Sequence, residues 1–233
     1  SDLYLVSVNS ASSGGKVRVS RIYGNPSGTP QFDMTGVQIN INNAWSSTGP
    51  AAPQSGSATT IALPDHRMAS AVYRNGSIWF AHNIFLPSTS PNRALVQWGQ
   101  VNISSYTLSQ LGRIDGGSAN LIYAMPSVAV DQSNNVLVGF NKFSSSGYAS
   151  AAYAYRAATD PLGYMNAVYT YKNGAAAFNQ SWGDYSATVI DPSENALWTL
   201  QQYAKAGNKW GSQWAKIGGT VTGNCDEPCG NAS

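Results

Sequence analysis

Three stretches of this chain repeat one pattern: a short apolar run, a polar turn and a second apolar run. They read SAVYRNGSIWFAHNI from Ser70, SVAVDQSNNVLVGFNKF from Ser127 and SATVIDPSENALWTLQQYA from Ser186, with starts about sixty residues apart. Each turn carries the Asn, Gly, Asp, Ser or Pro that a hairpin needs for its unusual backbone angles. The first two hairpins are each followed by a further strand pair, ALVQWGQV with LSQLGRI and SAAYAYRA with AVYTYKNG. Four antiparallel strands per unit of about sixty residues is the pattern of a β-propeller blade. A β-sandwich is the rival, but a sandwich requires no fixed period.

The rest of the chain reads the same way. Apolar residues alternate in runs of four to eight instead of recurring at three and four, and the 23 Gly and 11 Pro interrupt any helical pattern. Strands are predicted over 3–9, 16–23, 69–73, 77–82, 94–101, 127–130, 136–140, 149–156, 187–190, 196–202 and 213–217. The repeat units fall near 1–44, 60–118, 119–180 and 181–220, and 221–233 is a polar tail with a Cys pair. LYLVSVN, GKVRVSRIY and QFDMTGVQI read as the second, third and fourth strands of a unit whose first strand is missing, while the last unit runs out at Gly219. The ends therefore either share one blade of a closed ring, or belong to a larger propeller completed by further N-terminal blades or by another copy of the chain.

Composition bounds the setting. Hydrophobic residues are 42% and aromatics 11%, enough apolar mass to offset chain entropy. Only 10% of residues are charged, so Ser, Asn, Thr and Gln make the surface polar, which points to a secreted or cell-surface protein. The net charge of +2 comes without any Lys/Arg cluster, and no apolar run reaches a membrane span, so neither nucleic acid binding nor membrane insertion is expected. Ser1 opens straight into a strand-like run, with no targeting segment ahead of it. Cys225 and Cys229 suit either a small local disulfide or half of a metal site, the latter without a nearby His or further Cys. Asn75, Asn102, Asn179 and Asn231 head Asn-x-Ser triplets that permit glycosylation.

The segments DHRMASAVYRNGSIWFAHNI, MPSVAVDQSNNVLVGFNKF and WGDYSATVIDPSENALWTLQQYA together resemble a family of uncharacterised secreted bacterial β-propeller-like proteins of the sialidase-like fold. The most specific motif is WGDYS followed by a DP turn, and the likeness spans most of 1–217. The resemblance implies a propeller, and blades on the N-terminal side. It implies no particular activity. The family carries an Arg before the Trp of that motif, where this chain has Ser181.

In a propeller, ligands meet the residues just ahead of each blade's first strand. Those positions are Asp65, His66 and Arg67 in one repeat, Tyr123 and Met125 in the next, and Asp184 and Tyr185 in the third. Such a set could hydrogen-bond a sugar. It could also cleave a glycosidic bond if Asp65 and Asp184 stood ~5 to 9.5 Å apart, with Tyr185 beside them. Equally, the aspartates could tie neighbouring units together through backbone N–H groups.

Sialidase chemistry wants several Arg around a carboxylate, for which Arg67 and Arg156 are candidates, but the Ser-x-Asp-x-Gly-x-Thr-Trp turn is absent. There is no G-x-S-x-G elbow, His82 reads as a satisfied strand residue, and no cofactor motif is present. Asp131, Ser133 and Asn135 read as a tight hairpin, since a dedicated calcium loop would be longer and end in Glu. Trp79, Trp98 and Trp198 lie in alternating strands and are expected in the core, whereas Trp210 and Trp214 are expected to be exposed and suited to stacking on sugars.

A non-catalytic module for adhesion, glycan recognition or extracellular assembly follows, with a glycan or an extracellular protein surface as partner. A carbohydrate-active enzyme and a structural subunit stand as alternatives.

Overall fold

Each predicted hairpin forms and extends into a longer meander of antiparallel strands. A computed structural model describes residues 2–10, 15–183, 186–191 and 196–218, and among them there is no helix. The first sheet holds β1 (Leu3–Ser10), β2 (Lys16–Tyr23) and β3 (Gln31–Asn40). The second holds β4 (Met68–Arg74), β5 (Ser77–Leu86), β6 (Arg93–Asn102) and β7 (Thr107–Ile114). The third holds β8 (Leu121–Val130), β9 (Val136–Ser144), β10 (Ser150–Arg156) and β11 (Tyr169–Lys172). The fourth holds β12 (Ala187–Asp191), β13 (Ala196–Lys205) and β14 (Lys209–Ile217). Strands pair in sequence order within every sheet. The chain is all-β, with four separate sheets of three or four strands, and no sheet closes on itself.

Turn chemistry fixes the registers. Arg74 pairs with Ser77 across Asn75–Gly76, both with positive φ (48° and 73°), the geometry that matches strand twist in a two-residue hairpin. The longer β8–β9 turn is held by Asp131, whose carboxylate accepts from the backbone N–H of Ser133 (2.8 Å) and Asn135 (2.9 Å) and from Asn135 Nδ2 (2.7 Å).

The sheets stack face to face in chain order. Val17, Val19 and Ile39 of the first sheet pack on Ile78, Phe80 and Leu95 of the second. The opposite face of the second sheet sets Trp79, Ala81 and Trp98 against Val128, Val138 and Phe140 of the third. Leu137 and Ala129 then meet Leu197 of the fourth. The two middle sheets are therefore buried on both faces, and β5 and β8 read as near-continuous buried runs. The outer sheets bury one face only, so β1 and β14 alternate.

The interface between the third and fourth sheets also contains a buried polar cluster. Ser127 Oγ lies 2.6 Å from Thr188 Oγ1, which lies 3.0 Å from Thr199 Oγ1, and Gln201 Nε2 donates to both Ser127 and Thr199. Gly139 makes room for it, since a Cβ there would overlap Thr199 Oγ1. The serine that opens each repeat ties neighbouring first strands together. Ser70 Oγ accepts from Val128 N, Ser127 bonds Thr188, and Ser186 Oγ donates to the Met125 carbonyl.

One expectation shifts, and of the two arrangements open for the chain ends one is not formed. β8 begins at Leu121, not near Ser127, so Tyr123 and Met125 lie inside the strand instead of ahead of it. The register slips between Ala124 and Ser127, and Met125 takes φ 59° there, a bulge that accommodates Pro126 within the ladder. The chain ends do not share a sheet: among the described residues β1 pairs with β2 and β14 with β13. In the first sheet β1 lies against β4, with Tyr4 stacked on Tyr73, and β3 lies against β7, so three strands span what four span next door.

Candidate functional site

The first strands β4, β8 and β12 run side by side around a cavity of about 330 Å³ lined by residues 70–74, 128–130 and 188–190. At the heads of the same strands a second cavity of about 380 Å³ is lined by Pro64, Asp65, Arg67, Met68, Ala69, Asn83, Met125, Pro126 and Ser186. All three repeats contribute to it.

Asn83 sets its geometry. It is buried on β5, accepts from Met125 N at 2.9 Å through Oδ1, and donates to the Pro64 carbonyl at 3.3 Å through Nδ2. One amide thus joins the approach to β4 with the bulge of β8 and satisfies the backbone that the bulge frees.

Asp65 and Arg67 form the charged part of the lining. Arg67 Nε donates to Asp65 Oδ1 at 2.8 Å and Oδ2 at 2.9 Å, and Arg67 N donates to Oδ1 at 2.9 Å. The Arg67 side-chain hydrogen bond holds the Asp65 carboxyl below the usual carboxylate range. Asp65 therefore stays ionised near neutrality and is a poor proton donor. It acts as an acceptor beside a cation, within a lining that otherwise holds Met, Pro and Ala together with Asn83 and Ser186.

His66 turns away from this chemistry. Its Nδ1 accepts from Trp45 Nε1 at 3.1 Å, which leaves the proton on Nε2, and burial lowers its pKa. Behind it His82 is wholly buried. His82 Nδ1 donates to the His66 carbonyl at 2.8 Å, and His82 Nε2 accepts from Gln97 Nε2 at 3.0 Å. Gln97 Oε1 accepts from Arg113 Nε at 3.0 Å, and Arg113 Nη2 donates to the Asn43 carbonyl at 3.1 Å. The His66 carbonyl can only accept, which assigns the Nδ1–H tautomer to His82 and leaves Nε2 as the acceptor of a neutral ring.

The other candidates do not gather at this cavity. Tyr123 is buried 5.1 Å from Phe140 in the core, where burial raises its pKa. Arg156, only 2% exposed on β10, donates to the Asp160 carbonyl at 2.7 Å and sits over Trp98; burial lowers its pKa. Trp79 and Trp98 are buried, and Trp198 is half-buried. Trp210 and Trp214 are exposed on β14, the third strand of its sheet, away from the strand heads. Asp184 and Tyr185 lie outside the described residues, although the adjoining Ser186 lines the cavity. Cys225, Cys229 and Asn231 lie outside them as well.

Among the glycosylation candidates, Asn75 spends its side-chain amide on Gln132 O and Asn134 Oδ1. Asn102 Oδ1 accepts from Ser104 Oγ and Ser105 N, and Asn179 N donates to Asn208 Oδ1.

The sequence pattern did not single out Asn83 or Pro126. Asn83 lies one residue beyond the predicted strand 77–82, and Pro126 stands directly before the serine of its repeat, which is the one signal that marked a bulge. No family model matches the chain, and no curated protein matches it.

Proposed function

We propose that the four sheets are consecutive blades of a β-propeller, and that the chain is a non-catalytic recognition module of a secreted or cell-surface protein. Its ligand is a glycan, bound at the mouth formed by the heads of β4, β8 and β12. The observation that carries this reading is the Asp65–Arg67 pair at the edge of a cavity built from three successive repeats.

A carboxylate held ionised beside a guanidinium offers fixed acceptors and donors a few ångströms apart, which suits the vicinal hydroxyls of a sugar. Met68, Met125, Pro64 and Pro126 supply apolar surface for the C–H face of a sugar ring. The same pair argues against acid catalysis, because a general acid needs a raised pKa and Asp65 has a lowered one. The low charged content and abundant Asn, Ser and Thr support an extracellular setting.

The test is a panel of neutral and acidic oligosaccharides screened against the intact chain, followed by titration calorimetry on the best binder. Arg67→Ala and Asp65→Asn should each weaken binding at least tenfold, with unfolding midpoints close to the parent. Release of shorter sugars during incubation would replace this reading with the glycosidase alternative. Binding unaffected by both substitutions would remove the mouth from consideration.

A further inference from the structure

A further cavity of about 380 Å³ opens on the third sheet, lined by Lys142, Ser144, Ser146, Tyr148, Ser150 and Asn173 together with two glycines. Register brings these side chains together. Lys142 of β9 pairs with Ser150 of β10, and Ala151 pairs with Lys172 of β11, which places Asn173 beside Ser150. Ser144 stands two residues beyond Lys142 and so shares its side of the strand, the side on which Phe140 packs against the second sheet. Leu121 pairs with Ser144, so the cavity lies at the end of the sheet where β8 begins. The third sheet is flanked by the second and the fourth, and every described residue lining this cavity belongs to that one sheet and its loops.

The rim is fixed by its own hydrogen bonds. Ser145 N donates to the Asn120 carbonyl at 3.1 Å, Gly147 N to the Ser144 carbonyl at 3.2 Å, and Ser55 N to the Gly147 carbonyl at 2.9 Å. Ser150 Oγ donates to the Tyr148 carbonyl at 2.7 Å and accepts from Gly174 N at 2.9 Å, which ties the end of β11 to the start of β10.

Most of the hydrogen-bonding capacity left over is that of donors. The Lys142 ammonium has three N–H groups, gives one to Thr170 Oγ1 at 3.2 Å, and makes no ion pair among the described residues. Ser144 Oγ and Ser146 Oγ lie 2.9 Å apart, a bond that uses one hydroxyl proton and leaves the other. Asn173 makes no side-chain hydrogen bond among the described residues, so both N–H groups of its amide are open. No described residue lining the cavity is Asp or Glu. Asp115, whose charge reaches Tyr123 next to Lys142 on the ladder, is already held by Arg93 at 2.9 Å and by Gly117 N at 2.9 Å.

We propose that this cavity binds an oxyanion carried on a small hydroxylated ligand, a sugar acid in size and chemistry. The ammonium and the Ser and Asn donors receive the carboxylate, since charge-assisted hydrogen bonds are the strong ones. The half-buried Tyr148 supplies a ring for the C–H face of the sugar, and the volume is that of a small-molecule site, much larger than a bare ion needs. The proposal stands apart from the reading of the mouth, because the two cavities share no lining residue.

Heteronuclear NMR titration of the intact chain with galacturonate, galactose and inorganic sulfate tests it. Galacturonate should shift the amide signals of Gly147 and Gly174 saturably, galactose, which lacks the carboxylate, should bind roughly tenfold more weakly, and sulfate should compete. Lys142→Met keeps the stem and removes the charge; it should weaken galacturonate binding roughly tenfold with an unfolding midpoint close to the parent. Lys142→Arg should retain most of the affinity, and Arg67→Ala should leave it unchanged. The proposal is overturned if galacturonate gives no saturable shift, if galactose binds equally well, or if Lys142→Met binds as the parent does. Loss of galacturonate binding in Arg67→Ala would move the ligand to the mouth, and saturable binding of sulfate without galacturonate would overturn the sugar-acid assignment.

Discussion

His82 Nδ1 donates to the backbone carbonyl of His66 across 2.8 Å, from a ring with no exposure to solvent. With Nε2 already accepting from Gln97, and Arg113 just beyond, a second proton would meet no acceptor. Burial pushes the His82 pKa from 6.5 down to about 4.

The pH dependence follows. Above pH 6.5 the ring is neutral in both the folded and the unfolded chain, so its contribution is fully present. As pH falls from there to about 4, the unfolded chain takes up a proton that the folded chain refuses, and stability is lost, by up to roughly 3 kcal/mol. Below that range this group costs nothing further. Urea unfolding at pH 7, 5.5 and 4 should show the decline, and His82→Gln should flatten it, leaving a smaller slope from His66, whose pKa burial also lowers. Equal declines in parent and variant would exclude His82 as the source.

Gly139 of the third sheet faces the fourth with Thr199 and Gln201 over its α-carbon. Gly139→Ala should destabilise the fold by about 1–3 kcal/mol, because the overlapped atoms belong to a hydrogen-bonded cluster that cannot swing aside freely. Denaturant unfolding measures this, and a neutral result would mean that the sheets separate more easily than their packing indicates.

Ser127→Ala removes the partner of Thr188 and one acceptor of Gln201 in a buried site. The expected loss is about 1–3 kcal/mol, much of it from polar atoms left unsatisfied. Ser127→Ala combined with Thr188→Val should recover part of that loss, a non-additivity visible in a double-mutant cycle.

Asp131→Ala should lower stability by about 1–2 kcal/mol through loss of the three bonds that close the β8–β9 turn. Those bonds occupy both carboxylate oxygens, so added calcium should leave the melting temperature of the parent unchanged. A calcium-dependent rise would restore the metal reading of this loop.

Much of the architecture is legible in local sequence. Asn75–Gly76 dictates a two-residue hairpin whatever surrounds it, and the period of the Ser70, Ser127 and Ser186 repeats sets how many sheets can form. The serines themselves carry a role that pattern alone does not reveal, since their hydroxyls bond neighbouring strands about sixty residues away. The cavity was half legible. Asp65 and Arg67 were identifiable by their place ahead of a strand, but Asn83 was hidden within an apolar run, and Tyr123 was placed outside a strand that the bulge at Met125–Pro126 extends.

The Trp pairs separate the two kinds of information most cleanly. Strand alternation and ladder register put Trp79 and Trp98, and likewise Trp198 and Trp214, on one face of their sheets, because side-chain direction along a strand is a local property with a period of two. Only the tertiary structure decides that Trp79 and Trp98 are buried while Trp198 is half-buried and Trp214 exposed, since burial depends on what the rest of the chain lays across a face. Arg156 obeys the same rule: its sequence context is that of a surface cation, and the packing of the third sheet against Trp98 puts it inside.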